Sequence, residues 1–417
     1  MTRRPPLSRR ALLSGIGALG FGAGALVATG ADGSDGPDWP MYRHDPAGTA
    51  HAPDATVPRE KPVERWRHEF EEMGFSTPAP ILSDGRVFVA RKSLVAFDAE
   101  TGDRLFLIES ETGSREFLST PTVASARAYV APSLVTASES GLRAVGIDGG
   151  PDLPVGNDDA LSQRWSTGQQ PDEPILESMG FGDGWQSPPV ATAGTVFTVD
   201  DGVAAVDTSS GSVQWRTPVD TLEARPAVAD GRLFTVTYDG TLTEYAVDDG
   251  AEQWTASTPA VRHELQPTVA NGALYVAHET GVTAFEVDGG DERWTSGQPE
   301  GEYGRYVTPP SVTPDAVYAA GSGLLGDESD GLVALDAETG EHLWDAPLGG
   351  ISEANDGPAV AGDVVVQPDN HDLRAFDAAS GEELWRLERE AQVSQPAIGR
   401  EGFYLADGFS LSAFGGA

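Results

Sequence analysis

The sequence contains no cysteine, and its only lysines are Lys61 and Lys92. Without cysteine the fold must stand without disulfides, and the thiol that lipoprotein acylation needs is missing. The scarcity of lysine leaves arginine as almost the whole basic complement. Lysine and arginine together number 27 against 65 acidic residues, a formal net charge of −38. Such an excess repels nucleic acid and anionic lipid, so neither is expected as a partner. It also strains a compact fold by self-repulsion. In molar salt the Debye length falls to about 3 Å and that repulsion is largely screened. The acidic, lysine-poor composition therefore reads as adaptation to a hypersaline medium.

The one long apolar run, Ala11 to Val27, is broken by Gly15, Gly17, Gly20, Gly22 and Gly24. It is short and weakly hydrophobic for a membrane span. It follows Ser8-Arg9-Arg10-Ala11-Leu12-Leu13, a twin-arginine pattern, and precedes the small residues Ala28-Thr29-Gly30-Ala31. Residues 1–30 are thus expected to be a twin-arginine signal peptide, with an uncleaved anchor as the alternative. The expected location is extracellular or cell-surface associated, with no membrane span once the signal is removed. A lead segment, 31–60, precedes the main domain, 61–417.

What is present in abundance is repetition. A strand of alternating apolar residues runs into an acidic residue, a turn ending in Gly, and then Trp four residues later. The clearest copies are Leu332–Asp336 with Gly340 and Trp344, and Leu373–Asp377 with Gly381 and Trp385. Val203–Asp207 with Gly211 and Trp215 is a third. The acidic position has drifted to Ala246 before Gly250 and Trp254, and to Glu286 before Gly290 and Trp294. In the first copy Asp98 and Gly102 are kept and Phe106 replaces Trp. A degenerate copy has Asp148, an insertion and then Trp165, and Trp66 stands alone near the start. Successive anchors fall about 40 residues apart, lengthened by occasional insertions, which is the period of a propeller blade.

Each copy is preceded by Pro, a small residue and a β-branched one, as in Pro121-Thr122-Val123, Pro226-Ala227-Val228, Pro267-Thr268-Val269 and Pro358-Ala359-Val360. Small residues suit the innermost strand, which is crowded near the axis. The Asp caps the following turn through its side chain, and the Gly takes a positive φ. The Trp packs between neighbouring blades, each ring burying roughly 150–250 Å². The chain ends on Leu411-Ser412-Ala413-Phe414 without a Trp, so the early segment Val63-Glu64-Arg65-Trp66 is expected to complete the last blade. The fold class is therefore all-β: an eight-bladed β-propeller of four-stranded blades with one blade shared between the termini. Seven blades is the alternative if the segment around Trp165 forms none.

The unit Asp336-Ala337-Glu338-Thr339-Gly340-Glu341-His342-Leu343-Trp344 resembles the repeat of pyrroloquinoline-quinone (PQQ)-type propellers, and Asp38-Trp39-Pro40-Met41-Tyr42-Arg43-His44-Asp45-Pro46 resembles the opening of many secreted members. That resemblance covers nearly all of residues 38–417. It implies either of two branches: PQQ- and calcium-dependent alcohol or sugar dehydrogenases, or non-enzymatic propellers such as BamB. The catalytic branch typically places a vicinal cysteine pair over the quinone, and its Glu, Asn and Asp calcium ligands have no mapped counterpart here. The resemblance leans to the non-enzymatic branch, with no cofactor expected and PQQ with calcium as the alternative.

Loops leading from outer to inner strands converge at the mouth of a propeller channel. Trp185, Arg225, His263, Gln266, Arg305, Asn355, Asp356 and Gln395 fall in or beside them and are the candidate ligand-binding residues of a polar funnel. The competing reading is a solvated channel mouth. No catalytic residue and no metal ligand set is assigned: the seven histidines are scattered, and Asp369-Asn370-His371-Asp372 has the pattern of an Asx-rich turn as much as that of a calcium loop. The expected function is a binding or assembly scaffold, a monomer whose partner is a protein or glycan at the cell surface.

Overall fold

The computed structural model describes residues 38–70, 78–91, 93–108, 119–124, 133–138, 141–146, 163–166, 187–199, 202–219, 224–261, 265–297, 304–326, 329–351 and 356–416. The expected signal peptide, 1–30, lies outside the described residues. Among the described residues every regular element is a strand, and no helix is long and apolar enough to cross a membrane.

The strands form eight sheets, and seven of them follow one another along the chain, each built on four antiparallel strands, one of them with the short strand Arg305–Tyr306 added. The first runs Ile81–Ser83, Arg86–Ala90, Leu94–Asp98 and Arg104–Ile108. The second ends in Gln163–Ser166, so the segment around Trp165 supplies the outermost strand of a sheet of its own. The sheet built on Ala359–Ala361 gains a parallel fifth strand, His51–Ala52, on its inner edge. The last sheet joins the two ends of the chain: Val63–Glu69 pairs antiparallel with Ser410–Gly415, which continues through Gly402–Ala406 to Ala397–Gly399. The molecule is an all-β propeller with its ring closed by that shared sheet.

The repeat is the fastening between sheets. The indole N–H of each described anchor donates to a backbone carbonyl in the turn region of the next sheet: Trp66 to Ala99 at 3.1 Å, Trp215 to Val247 at 2.8 Å, Trp254 to Val287 at 3.1 Å, Trp294 to Ala337 at 3.2 Å and Trp344 to Ala378 at 3.0 Å. Trp385 does the same to Pro58 at 2.7 Å, where Arg59 then pairs with Asp363 and Asp377. Some of these carbonyls accept a second bond, from Tyr275, Tyr318 or Tyr404.

The turn glycines serve two purposes. Gly340 and Gly381 have φ of 73°, a conformation costly for any residue with a Cβ. A Cβ on either would also collide with the Trp of the preceding sheet, as it would on Gly290, where it would stand 2.6 Å from Trp254. The turn carboxylates behave as the pattern predicts. Asp336 Oδ1 accepts from the amides of Glu338 and Thr339, at 3.0 and 2.8 Å, and those bonds hold its carboxyl below the usual range. Where the Asp has drifted, the backbone bond still closes the turn: Gly250 N–H donates to the Ala246 carbonyl at 2.9 Å, and Gly290 to Glu286 at 3.1 Å.

Candidate functional site

The lead segment does not sit ahead of the propeller; it runs through the middle of it. The innermost strand of a propeller blade has an unpaired edge facing the axis, and its amides need acceptors. Residues 39–56 supply them in a circuit. Trp39 exchanges two 2.9 Å bonds with Leu82 of the first sheet. Val123 donates to the Pro40 carbonyl at 2.8 Å, Val228 to Pro46 at 2.8 Å, Val269 to Ala47 at 3.0 Å, Val312 to Thr49 at 3.1 Å and Val360 to Ala50 at 2.8 Å. Thr56 N–H then donates to Gly399 at 3.4 Å. The third sheet is reached by packing, with Met41 buried against Ala191, Val196 and Val206. One strap therefore touches all eight sheets. The donors at Val123, Val228, Val269, Val312 and Val360 are the β-branched residues of the repeated Pro-small-β-branched motif.

The strap bends sharply to do this. Arg43, His44 and Ala50 hold φ of 60°, 71° and 49°, left-handed conformations rare outside glycine. Such strain persists only where the surroundings over-determine the backbone. Here Asp45 Oδ1 accepts from Thr49 N–H at 3.1 Å, its other oxygen accepts from the Thr49 hydroxyl, and Ala50 N–H donates to the Arg43 carbonyl at 3.0 Å.

Inside the strap lies a buried polar centre. Arg43 is fully buried: its Nε donates to the Gly48 carbonyl at 3.1 Å and its Nη2 to Pro310 O and Ser311 Oγ. Arg225 reaches in from the rim, with Nη2 donating to the Asp45 carbonyl at 2.8 Å and lying 3.4 Å from Met41 Sδ. Burial draws both guanidinium pKa values down to about 10. Tyr42 donates its hydroxyl to Asp356 Oδ1 at 2.6 Å, and Asp356 Oδ2 accepts the backbone N–H of Gln395 at 2.5 Å. Burial pushes the Asp356 carboxyl up. The Asp45 carboxyl is pushed up by burial as well, and its bonds to His44 and Thr49 outweigh that and hold it low.

Of the candidate residues, Arg225, Gln266, Asp356 and Gln395 are brought together around the strap. Gln395 Nε2 donates to the carbonyls of Gly357 and Pro358 at 3.0 and 3.1 Å. Arg225, Gln266 and Gln395 each precede the motif proline of their sheet, a position held extended by the proline that follows. Arg305 is elsewhere, in the short strand Arg305–Tyr306 that pairs with Gly321 and Ser322. Trp185, His263 and Asn355 lie outside the described residues. Sequence reasoning missed Tyr42, Arg43, Asp45 and Gly48 as members of the centre. The available signal was Trp39, a Trp outside the repeat period at the head of a segment dense in aromatic and charged residues.

The calcium-like loop has other uses for its carboxylates. Asp369 accepts from the amides of Gly349 and Gly350 at 2.7 and 2.8 Å and pairs with Arg374 at 3.1 Å, and Asp372 pairs with Arg386. Asp330, just before the strand Gly331–Asp336, accepts from the Gly323 and Ile351 amides at 2.9 and 2.8 Å. Among the described residues no group of three or more His, Asp or Glu converges as a metal site.

Comparison with known proteins agrees with this architecture. A family model described as outer membrane protein assembly factor BamB matches residues 60–152, 157–323 and 282–414. No curated protein matches the chain. Among solved structures, BamB from Moraxella catarrhalis is similar at 14% identity and a TM-score of 0.60, covering 85% of this chain and 100% of its own. Quinohemoprotein alcohol dehydrogenase from Comamonas testosteroni is similar at 15% identity and a TM-score of 0.65, covering 91% of this chain and 81% of its own. At these identities the likeness is one of fold.

Proposed function

Because the chain belongs to the family of the outer membrane protein assembly factor BamB, we propose that it is a non-catalytic scaffold that binds a protein or glycan through the loop face of an eight-bladed ring. One observation carries the reading. Among the polar side chains gathered around the strap, Arg225, Asp356 and Gln395 each already bond within the protein, Arg225 and Asp356 to the strap itself. A quinone seated on the axis would compete with Tyr42–Gly48 for these groups, which supports the reading without a quinone. The surface left for a partner is the rim of loops, where sequence varies without disturbing the repeat.

We further propose that the protein is exported by the twin-arginine route and works in high salt. The Ser8–Leu13 pattern and the net charge of −38 support both. A partner would then be recognised by shape and apolar contact more than by long-range charge.

The deciding experiment is reconstitution of the purified protein with PQQ and calcium in molar salt, alongside a pull-down from the native cell surface in the same salt. The expected result is no quinone absorption, no dye reduction with alcohols or sugars, and a retained protein or glycan. A bound quinone chromophore with substrate-dependent turnover would replace the scaffold reading with an oxidoreductase.

A further inference from the structure

An aromatic ring held half in water on a rigid surface is available for stacking. The hairpin Thr237–Gly240 joins the second and third strands of the fourth sheet, and Thr258–Val261 leaves that sheet's outermost strand. Both lie on the loop face, as does the Glu279–Thr280 hairpin of the fifth sheet. Three backbone bonds join them into one ledge. Thr258 N–H donates to the Gly240 carbonyl at 2.9 Å, Val261 to Tyr238 at 3.1 Å and Glu279 to Ala260 at 3.2 Å. Gly240 holds φ 85°, and a Cβ on it would stand 2.1 Å from the Thr258 carbonyl, so the hairpin lies directly on the connecting segment. The ledge is preformed, and binding to it costs little ordering.

Among the described Phe, Tyr and Trp side chains, Tyr238 is the most open, 49% exposed, and it stands on this ledge. Asp239 beside it and Thr280 on the next hairpin are exposed as well. Asp239 Oδ1 accepts from the Thr237 hydroxyl at 2.6 Å and the Thr241 amide at 3.2 Å, bonds that fix the carboxyl and hold it below the usual range. The electron-rich face of a tyrosine suits the C–H face of a pyranose ring, and a carboxylate and a hydroxyl alongside suit its hydroxyls. The two hairpins stand about two backbone spacings apart, on the order of 10 Å, room for two sugar rings. We propose that Tyr238, Asp239 and Thr280 form a binding ledge for a neutral glycan. A basic peptide would be drawn to the same groups by charge and by cation–π attraction. Molar salt screens that pull, whereas stacking and hydroxyl hydrogen bonds persist. The glycan ledge rests on the loop-face scaffold reading and on a high-salt medium, and it names the partner's chemistry.

The test is an array of neutral oligosaccharides probed with the purified protein in molar salt, with a tetra-arginine peptide alongside. Wild type is expected to bind at least one sugar, with saturation transfer in NMR strongest at the ring C–H protons. Tyr238→Ala is expected to lose that binding, and Tyr238→Trp, which keeps a stacking face, to retain it, both with unchanged strand circular dichroism. No binding across the array overturns the proposal, as does equal binding by wild type and Tyr238→Ala. Tyr238-dependent binding of the peptide without any sugar binding overturns it too, and assigns the ledge to a basic partner. If Tyr238→Ala does not fold, Thr280→Val carries the comparison: weakened sugar binding is expected, and unchanged binding overturns the proposal. The scaffold reading is judged separately by the reconstitution: a surface partner retained without any sugar binding leaves that reading standing while the glycan ledge falls.

Discussion

The smallest unit of this architecture is the contact between a glycine and the tryptophan of the sheet before it. The backbone of Gly340 sits at φ 73°, and the ring of Trp294 occupies the space its Cβ would take. Gly231 has almost the same φ, 76°, with nothing within 4 Å of a Cβ. The two positions separate backbone strain from packing. Gly231→Ala is expected to cost about 1–2 kcal/mol, the strain alone. Gly340→Ala is expected to cost a further 1–3 kcal/mol or so by forcing the inter-sheet contact apart. Urea unfolding of both variants in the same salt measures the difference, and equal losses would mean that the Trp moves aside freely. The glycine's turn role was legible from its spacing. Its packing role was not, because the Trp it meets belongs to the neighbouring copy of the repeat.

At the scale of the element, each hairpin carries its own polar solution, and the one at His278 is sensitive to pH. His278 lies at the end of Ala273–His278, fully buried, with Nε2 2.9 Å from Thr283 Oγ1 and Nδ1 accepting the Thr280 amide at 3.3 Å. Burial lowers its pKa from 6.5 to about 4. The unfolded chain therefore binds a proton below pH 6.5 that the folded protein refuses until about pH 4. Stability from this group is complete above pH 6.5 and falls progressively between pH 6.5 and 4, by about 3 kcal/mol in all. His278→Gln is expected to remove that part of the slope, seen in unfolding midpoints measured from pH 7 to pH 4. An unchanged slope would place the acid sensitivity in other groups. The hairpin itself follows from the alternating apolar pattern, whereas the burial of its histidine depends on which sheets stack over it.

At the scale of the whole molecule, two devices hold the ring: the shared last sheet and the strap. The strap lies outside the residues that the family model matches, which begin at 60. Deleting residues 1–57 removes the acceptors of Val123, Val228, Val269, Val312 and Val360 while keeping Val63–Glu69 for closure. The truncated protein is expected to remain a propeller by strand circular dichroism, to unfold at lower temperature, and to exchange those inner-strand amides faster in hydrogen–deuterium exchange. Protection equal to that of the full chain would show that the inner strands find acceptors without the strap.

The repeat, its period, the closing of the last sheet by both ends of the chain and the capping of the turns by Asp could all be read from the sequence alone. They are local or strictly periodic: hairpins, alternation and spacing state themselves in neighbouring residues. The convergence of Arg225, Gln266, Asp356 and Gln395 was legible for the same reason, since three of them share one position of the repeat. What surrounds them was decided by tertiary structure. The strap from Trp39 to Thr56 has no periodic pattern, and its conformation comes from carbonyls that must meet the unpaired amides of six separate sheets. The sequence described a funnel lined with polar groups; the folded chain turned it into a buried centre by threading its own lead segment along the axis.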